Sequence, residues 1–318
     1  MGIRSVNAVS SNAAAEAPPV SKPASGGLPV RLRNVAKAYR VGPRWLPAVQ
    51  EVDIDIPPGE FVSIVGPSGC GKSTLLKIVA GLIPPTGGEV EVDGRKVTGP
   101  TIEAGVVFQR DLLLEWRTAL ENVLLQAEIR RQPVRNHEQH ARELLASVAL
   151  EGFEDAMPHQ LSGGMRQRVA ICRALLHDPP LLLMDEPFGA VDAITRDQLN
   201  LDLRNLCNRL GSTVLFITHS ITEAVFLSDR VMVMTPRPAV VASITEIDLP
   251  ATRPLSIREE PAFGAYVREI RETFEKLGVL GGSEPPAVRE MRAASGRDSG
   301  EQGTERGAPW RRSGKKRS

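Results

Sequence analysis

Two kinds of hydrophobic pattern alternate along the 318-residue chain. "EFVSIVG" (60–66), "GVVFQ" (105–109), "LLLMDE" (181–186), "TVLFITH" (213–219) and "DRVMVM" (229–234) are short β-branched or aliphatic runs with almost no polar break. Such continuity predicts strands covered on both faces, as in a parallel sheet. Between these runs the apolar spacing becomes helical. "KSTLLKIVAGL" sets Leu75, Leu76, Val79 and Leu82 on one side, with Gly81 placed to end the helix. "QLSGGMRQRVAICRALL" (160–176) sets Val169, Cys172, Leu175 and Leu176 on one face ahead of Pro179. Residues 30–57 and 88–97 alternate apolar with polar positions and carry turns such as "PPGE" and "VDGR", which predicts an antiparallel β annex. Residues 110–160 are mostly helical in pattern and interrupt the strand series, which predicts a helical insertion. The expected fold class is therefore α/β, with a mostly parallel core sheet, an antiparallel β annex and a helical insertion.

Patterning is dense over residues 28–250, which are read as the core domain. It thins over 251–281, a C-terminal extension with one helix at "PAFGAYVREIRETFEKLG". Residues 1–27 and 282–318 are rich in Ala, Ser, Pro, Gly and charge, and read as a disordered leader and a disordered basic tail. The tail ends "WRRSGKKRS", either a solvated segment or one able to touch anionic lipid at about 1 kcal/mol per basic residue.

Composition then removes several function classes. Lys+Arg 39 against Asp+Glu 38 gives a formal net charge of +1, too little for the basic field that non-specific nucleic-acid binding needs. Cys70, Cys172 and Cys207 are odd in number and in no metal-ligand spacing, which argues against a disulfide framework or zinc site and fits a reducing compartment. The leader has no continuous apolar core of signal-peptide length, and "MGIRSV" has valine where a myristoylation signal needs Ser or Thr. No run approaches the roughly 20 apolar residues of a membrane span, so membrane contact is expected through a partner.

The candidate chemistry begins at "GPSGCGKST" (66–74), after a predicted strand and at the start of a predicted helix. That context turns the pattern into a phosphate loop for a nucleoside triphosphate. Gly66, Gly69 and Gly71, with Pro67, Ser68 and Cys70 between them and Thr74 after, bring backbone N–H groups together on phosphate oxygens. Lys72 supplies a point charge and Ser73 a hydroxyl for Mg2+. Cys70 either gains thiolate character from the neighbouring lysine and helix N-terminus or only fills a variable loop position. Strand-end Asp185 is a second Mg2+ ligand and Glu186 stands where it can polarise an attacking water; alone such a pair reads more readily as helix-capping or turn carboxylates, a preference that reverses downstream of a phosphate loop. His219 ends another strand within reach of a terminal phosphate, or is an ordinary turn residue.

"GPSGCGKST", "VVFQ", "LSGGM", "LLLMDEP", "GAVD" and "FITHS", in that order over about residues 30–245, resemble the ATP-binding subunit of ABC transporters, within the P-loop NTPases. The resemblance implies ATP and Mg2+ as ligands and a role for each matching residue. Tyr39 stacks on adenine, Gln109 touches Mg2+ or the attacking water, Glu186 is the catalytic base and His219 senses the γ phosphate. Ser162, Gly163 and Gly164 close over ATP held by a second subunit, and Asp192 contacts that subunit. Met165 and Glu115 depart from the commoner pattern, which has glutamine and proline there. "LSGGMRQRVAI", "PFGAVDAITR" and "MTPRPAVV…IDLP" are similar to the importer branch for nitrate, sulfonates and taurine.

The resemblance further implies a homodimer of ATP-binding subunits on the cytoplasmic face of the inner membrane. Its partners are permease subunits and, indirectly, a periplasmic or extracellular solute-binding protein, with no nucleic acid. Two other readings compete. A soluble ABC ATPase acting on DNA or the ribosome calls for long coiled coils or tandem ATPase halves, which the chain lacks, and a monomeric P-loop kinase or NTPase leaves "LSGGM" without a role.

Overall fold

The structure is a computed structural model that describes residues 26–189 and 191–279. The leader, apart from its last two residues, and the basic tail lie outside the described residues. In chain order the elements are β1 (Val30–Val41), β2 (Arg44–Ile56), β3 (Phe61–Val65), α1 (Lys72–Val79), β4 (Gly87–Val92), β5 (Arg95–Lys96) and β6 (Ala104–Val107). Then come α2 (Ala119–Ile129), α3 (Glu138–Ser147), α4 (Gly163–Leu175), β7 (Leu181–Asp185), α5 (Ala193–Leu210) and β8 (Thr213–Ile217). The remainder is α6 (Ile221–Leu227), β9 (Arg230–Met234), β10 (Val241–Glu246) and α7 (Pro261–Lys276).

The core sheet has the order β10-β9-β3-β8-β7-β6, and β3, β7 and β8 are buried at every position. Alternate residues of β3 explain this. Val62 and Ile64 enter one apolar cluster with Leu75 and Leu76 of α1, while Phe61 and Val65 enter another with the helices of the opposite face. Each buried aliphatic side chain contributes roughly 1.5–3 kcal/mol. The pairings β9/β3, β3/β8, β8/β7 and β7/β6 are parallel, as the unbroken apolar runs require. The annex is a separate antiparallel sheet ordered β2-β1-β4-β5.

Two details depart from the sequence expectation. β10 pairs antiparallel with β9 at the sheet edge, where one side of "VASITE" faces solvent, so its apolar signal is weak. Leu82 does not join the buried side of α1. The helix stops at Val79, Gly81 takes φ +70° and a Cβ there would stand 1.8 Å from the Gly99 carbonyl oxygen, so the chain turns and leaves Leu82 45% exposed.

Helix α7 shares the core with the preceding helices: Phe263, Ile270 and Phe274 are buried in the cluster that holds Phe226 and Phe216. Arg253, fully buried, ties the segment down by donating to the carbonyls of Val225, Phe226 and Ser228 at 2.8–3.1 Å. Those carbonyls close the end of α6, where the helix itself offers no donors.

Candidate active site

The phosphate loop leaves β3 and enters α1, and its geometry follows from residues without side-chain bulk. Gly71 has φ +134°, and a Cβ there would lie 2.7 Å from the Ala48 carbonyl oxygen of the annex, so only glycine fits. Helices α2, α4, α5 and α6 each have a first-turn N–H bonded by the side chain of Thr118, Ser162, Asp192 or Ser220, whereas α1, like α3 and α7, has no side-chain cap. Its first amides therefore remain available to an anion. Lys72 is buried, its Nζ donating to the carbonyls of Gly66 at 2.8 Å and Pro67 at 3.0 Å. Arg237, which no spacing in the sequence marks, donates to the Gly69 carbonyl at 2.9 Å and lines the same cleft.

Ser73 Oγ lies 3.0 Å from Asp185 Oδ1 at the end of β7. Burial pushes the Asp185 carboxyl above the usual range; the Ser73 hydrogen bond opposes this, the Glu186 charge adds to it, and Lys77 and Lys72 pull it back. A hydroxyl and a largely buried carboxyl side by side form a hard oxygen donor set that fits Mg2+.

Glu186 has φ +47°, a region that costs a non-glycine residue strain and that clusters at functional sites. Its amide is held by the Ile217 carbonyl at 2.9 Å. Gln109 Nε2 donates to Glu186 Oε2 at 3.3 Å, and His219 Nδ1 stands 3.6 Å from the same oxygen. The ends of β6, β7 and β8 thus deliver three predicted residues to one point. A cleft of about 220 Å3 joins Lys72, Ser73, Thr74, Gln109 and Glu186, and Tyr39 reaches its edge with its hydroxyl 3.4 Å from Thr74 Oγ1. A separate cavity, about 510 Å3 between α3, α4 and α5, contains none of these groups.

Helix α4 holds the segment on both sides of Gln109. Gln167 Nε2 donates to the Phe108 carbonyl at 3.0 Å, Arg166 pairs with Asp111 at 2.9 Å, and Arg173 donates to the carbonyls of Asp111 and Leu112 at 2.7 and 2.8 Å. Sequence reasoning missed Gln167 and these arginines because a polar residue on an amphipathic helix ordinarily signals solvent.

Ser162, Gly163, Gly164 and Asp192 do not line the cleft of their own chain. Exposed Ser162 caps α4, accepting from the Met165 amide at 3.2 Å, and exposed Asp192 caps α5, accepting from the Thr195 amide at 3.0 Å. The hydrogen bonds to Thr195, backbone first, hold the Asp192 carboxyl below its usual range. Met165 packs partly buried against the core, which accounts for an apolar residue there. Cys70 is only 2% exposed and packs in the cluster of α1 and the annex, so its thiol fills space and is not presented to the phosphate cleft.

A parallel sheet, an uncapped phosphate-loop helix and convergent strand-end carboxylates define the P-loop nucleotide-binding class. The family model for ABC transporters matches residues 49–189. An aliphatic sulfonates import ATP-binding protein of Bacillus cereus is 38% identical over 251 residues, covering 79% of this chain and 98% of its own. A taurine import ATP-binding protein of Rhizobium johnstonii is 44% identical over 245 residues, covering 75% and 92%. An uncharacterised ABC transporter ATP-binding protein of Methanocaldococcus jannaschii is 46% identical over 224 residues, covering 70% and 84%. Among solved structures, the ATP-binding cassette MJ0796, a dimer in a post-hydrolysis state bound to ADP and Pi, matches with TM-score 0.63 and 36% identity over 69% of this chain and 99% of its own. The chain belongs to the ATP-binding proteins of the ABC transporter family.

Proposed function

We propose that the protein binds and hydrolyses ATP to energise an importer for a small anionic solute, with sulfonates, taurine or nitrate as the solute class. The observation that carries this reading is the meeting of Gln109, Glu186 and His219 beside Lys72 and the Ser73–Asp185 pair. The relatives named for sulfonate and taurine import support the solute class.

Lys72 and the α1 amides bind the phosphates, and Tyr39 carries the base at the cleft edge. Mg2+, held by Ser73 and Asp185 with Gln109 close by, would supply charge neutralisation on the phosphates. Glu186 accepts a proton from water, Gln109 orients the Glu186 carboxylate, and His219 contacts the terminal phosphate. The site of one chain stays incomplete because Ser162, Gly163, Gly164 and Asp192 lie elsewhere on the surface. In a second copy of this chain they complete it, so ATP joins two subunits, and hydrolysis removes the contacts that favour closure.

Among the described residues no helix is long and apolar enough to cross a membrane. The surface offered to permease subunits is the loop that α4 holds, where Leu112 and Trp116 are exposed around Glu115. With permease subunits as its partners, the chain works peripherally at the cytoplasmic face of the inner membrane, with a solute-binding protein on the far side. A deletion strain tests the reading. It is expected to lose growth on taurine or alkanesulfonate as sulfur source, or on nitrate as nitrogen source, and to regain it with the wild-type chain but not with Glu186→Gln. Unchanged growth on all of them overturns the solute assignment.

A further inference from the structure

Two helices carry the same Ser/Thr-x-x-Glu start and use it differently. At α2, Thr118 and Glu121 close a reciprocal capping box near the surface: the Glu121 amide donates to Thr118 Oγ1 at 3.2 Å and the Thr118 amide donates to Glu121 Oε2 at 2.9 Å. At α6, Ser220 accepts from the Glu223 amide at 3.2 Å, but the Glu223 carboxylate does not return to the Ser220 amide. That amide donates instead to Thr218 Oγ1 at 3.0 Å, and the Thr218 hydroxyl donates to Glu223 Oε2.

Glu223 is 6% exposed and Thr218 2%. Burying a carboxylate is costly, and capping alone does not require it, as Glu121 shows. Burial accordingly pushes the Glu223 carboxyl above its usual range, opposed first by the Thr218 hydrogen bond and then by Asn200 and the charges of Arg196 and His219, while its Oε1 has no hydrogen-bond partner among the described residues. What the diverted carboxylate gains is a closed ring through Thr218, Ser220 and Glu223, with His219 as the one residue spanning it. The imidazole side chain is 60% exposed, yet its backbone is held on both sides. A small hole of about 10 Å3, lined also by Phe188, touches Glu186, Arg196, Thr218, His219 and Glu223 together, so the ring lies beside the hydrolytic carboxylate. Arg196 also donates to the Val191 carbonyl at 2.6 Å, next to Asp192.

We infer that Glu223 is a positioning residue for His219, holding through Thr218 and Ser220 the backbone that carries the imidazole to Glu186. The inference rests on the reading of His219 as the contact to the terminal phosphate. Helix capping by Ser220 does not depend on the Glu223 side chain, so loss of the carboxyl loosens the His219 turn without removing the α6 cap.

The test is a double-mutant cycle in ATP turnover with Glu223→Ala, Glu223→Gln and His219→Ala, with Tm measured alongside. Glu223→Ala is expected to lower kcat at least about tenfold with KM for ATP within about twofold, and to add nothing in the His219→Ala background. Glu223→Gln, whose amide oxygen can still accept from Thr218, is expected to restore turnover. If Glu223→Ala does not fold, Thr218→Val, which removes the shared hydroxyl, is expected to give the same kcat loss and the same absence of effect on His219→Ala. Additive losses, or a fall in kcat matched by a rise in KM, overturn the positioning role. Wild-type turnover in His219→Ala overturns the reading of His219 itself, which is a separate failure.

Discussion

Ser73 and Asp185 are 112 residues apart in sequence, yet the Ser73 hydroxyl donates to the Asp185 carboxylate over 3.0 Å. The phosphate loop at the end of β3 and the strand end of β7 are thereby joined across β8, which pairs with both strands. In the proposed function, metal and phosphate recognition share one sheet, which keeps the donors in place before nucleotide arrives.

Asp185→Asn separates folding from metal binding. A carboxyl whose folded pKa is raised is favoured protonated in the fold, so its contribution is present below the unfolded carboxylate range and is lost as pH rises through the folded pKa. At pH 7 the charged carboxylate is therefore a burden on the nucleotide-free chain, and the Asn variant is expected to melt at a higher temperature. Below about pH 4 the difference should vanish. With Mg2+ and ATP the order should reverse, because the variant loses a charged metal ligand. Melting curves at both pH values, with and without Mg-ATP, check both signs.

Lys72→Ala removes the ammonium held by two loop carbonyls beside the amides of α1. Kd for ATP is expected to rise at least about tenfold, equal to 1.4 kcal/mol or more. Calorimetric titration measures it, and an unchanged Kd would remove Lys72 from phosphate binding.

Glu186→Gln keeps the shape that meets Gln109 and His219 but removes the proposed base. Turnover is expected to fall by about 10^2 to 10^4 while ATP binding persists. Wild-type turnover in this variant would take the general-base role away from Glu186.

The thiols test the packing. Cys70, Cys172 and Cys207 are all buried, and burial pushes Cys172 and Cys207 up to about 12. No thiol should react with a disulfide reagent at pH 8 in the folded chain, with or without Mg-ATP, and all should react after denaturation. Nucleotide-dependent labelling of Cys70 would show that its side chain faces the cleft.

What the sequence made legible followed from how local the signal is. The phosphate loop needs adjacent glycines, a lysine and a serine in order, and β3, β7 and β8 advertise two-sided burial by unbroken apolarity. Edge strand β10 was illegible because only one of its sides is covered. Arg253 and Glu223 look like surface residues by type; their burial depends on carbonyls and hydroxyls brought from other segments. Arg237 closes on Gly69 from 168 residues away, a contact no local pattern encodes. Met165 looked anomalous only until its packing against the core was visible.

The central claim is that one chain supplies every motif but half of each working site. It is tested most directly by the mass of Glu186→Gln in solution with and without ATP, alone and combined with Ser162→Arg. The account predicts a monomer without ATP, a dimer with ATP for Glu186→Gln, and a monomer that still binds ATP once Ser162→Arg is added. A dimer that ignores the change at Ser162, or a nucleotide-loaded monomer of Glu186→Gln, would contradict it.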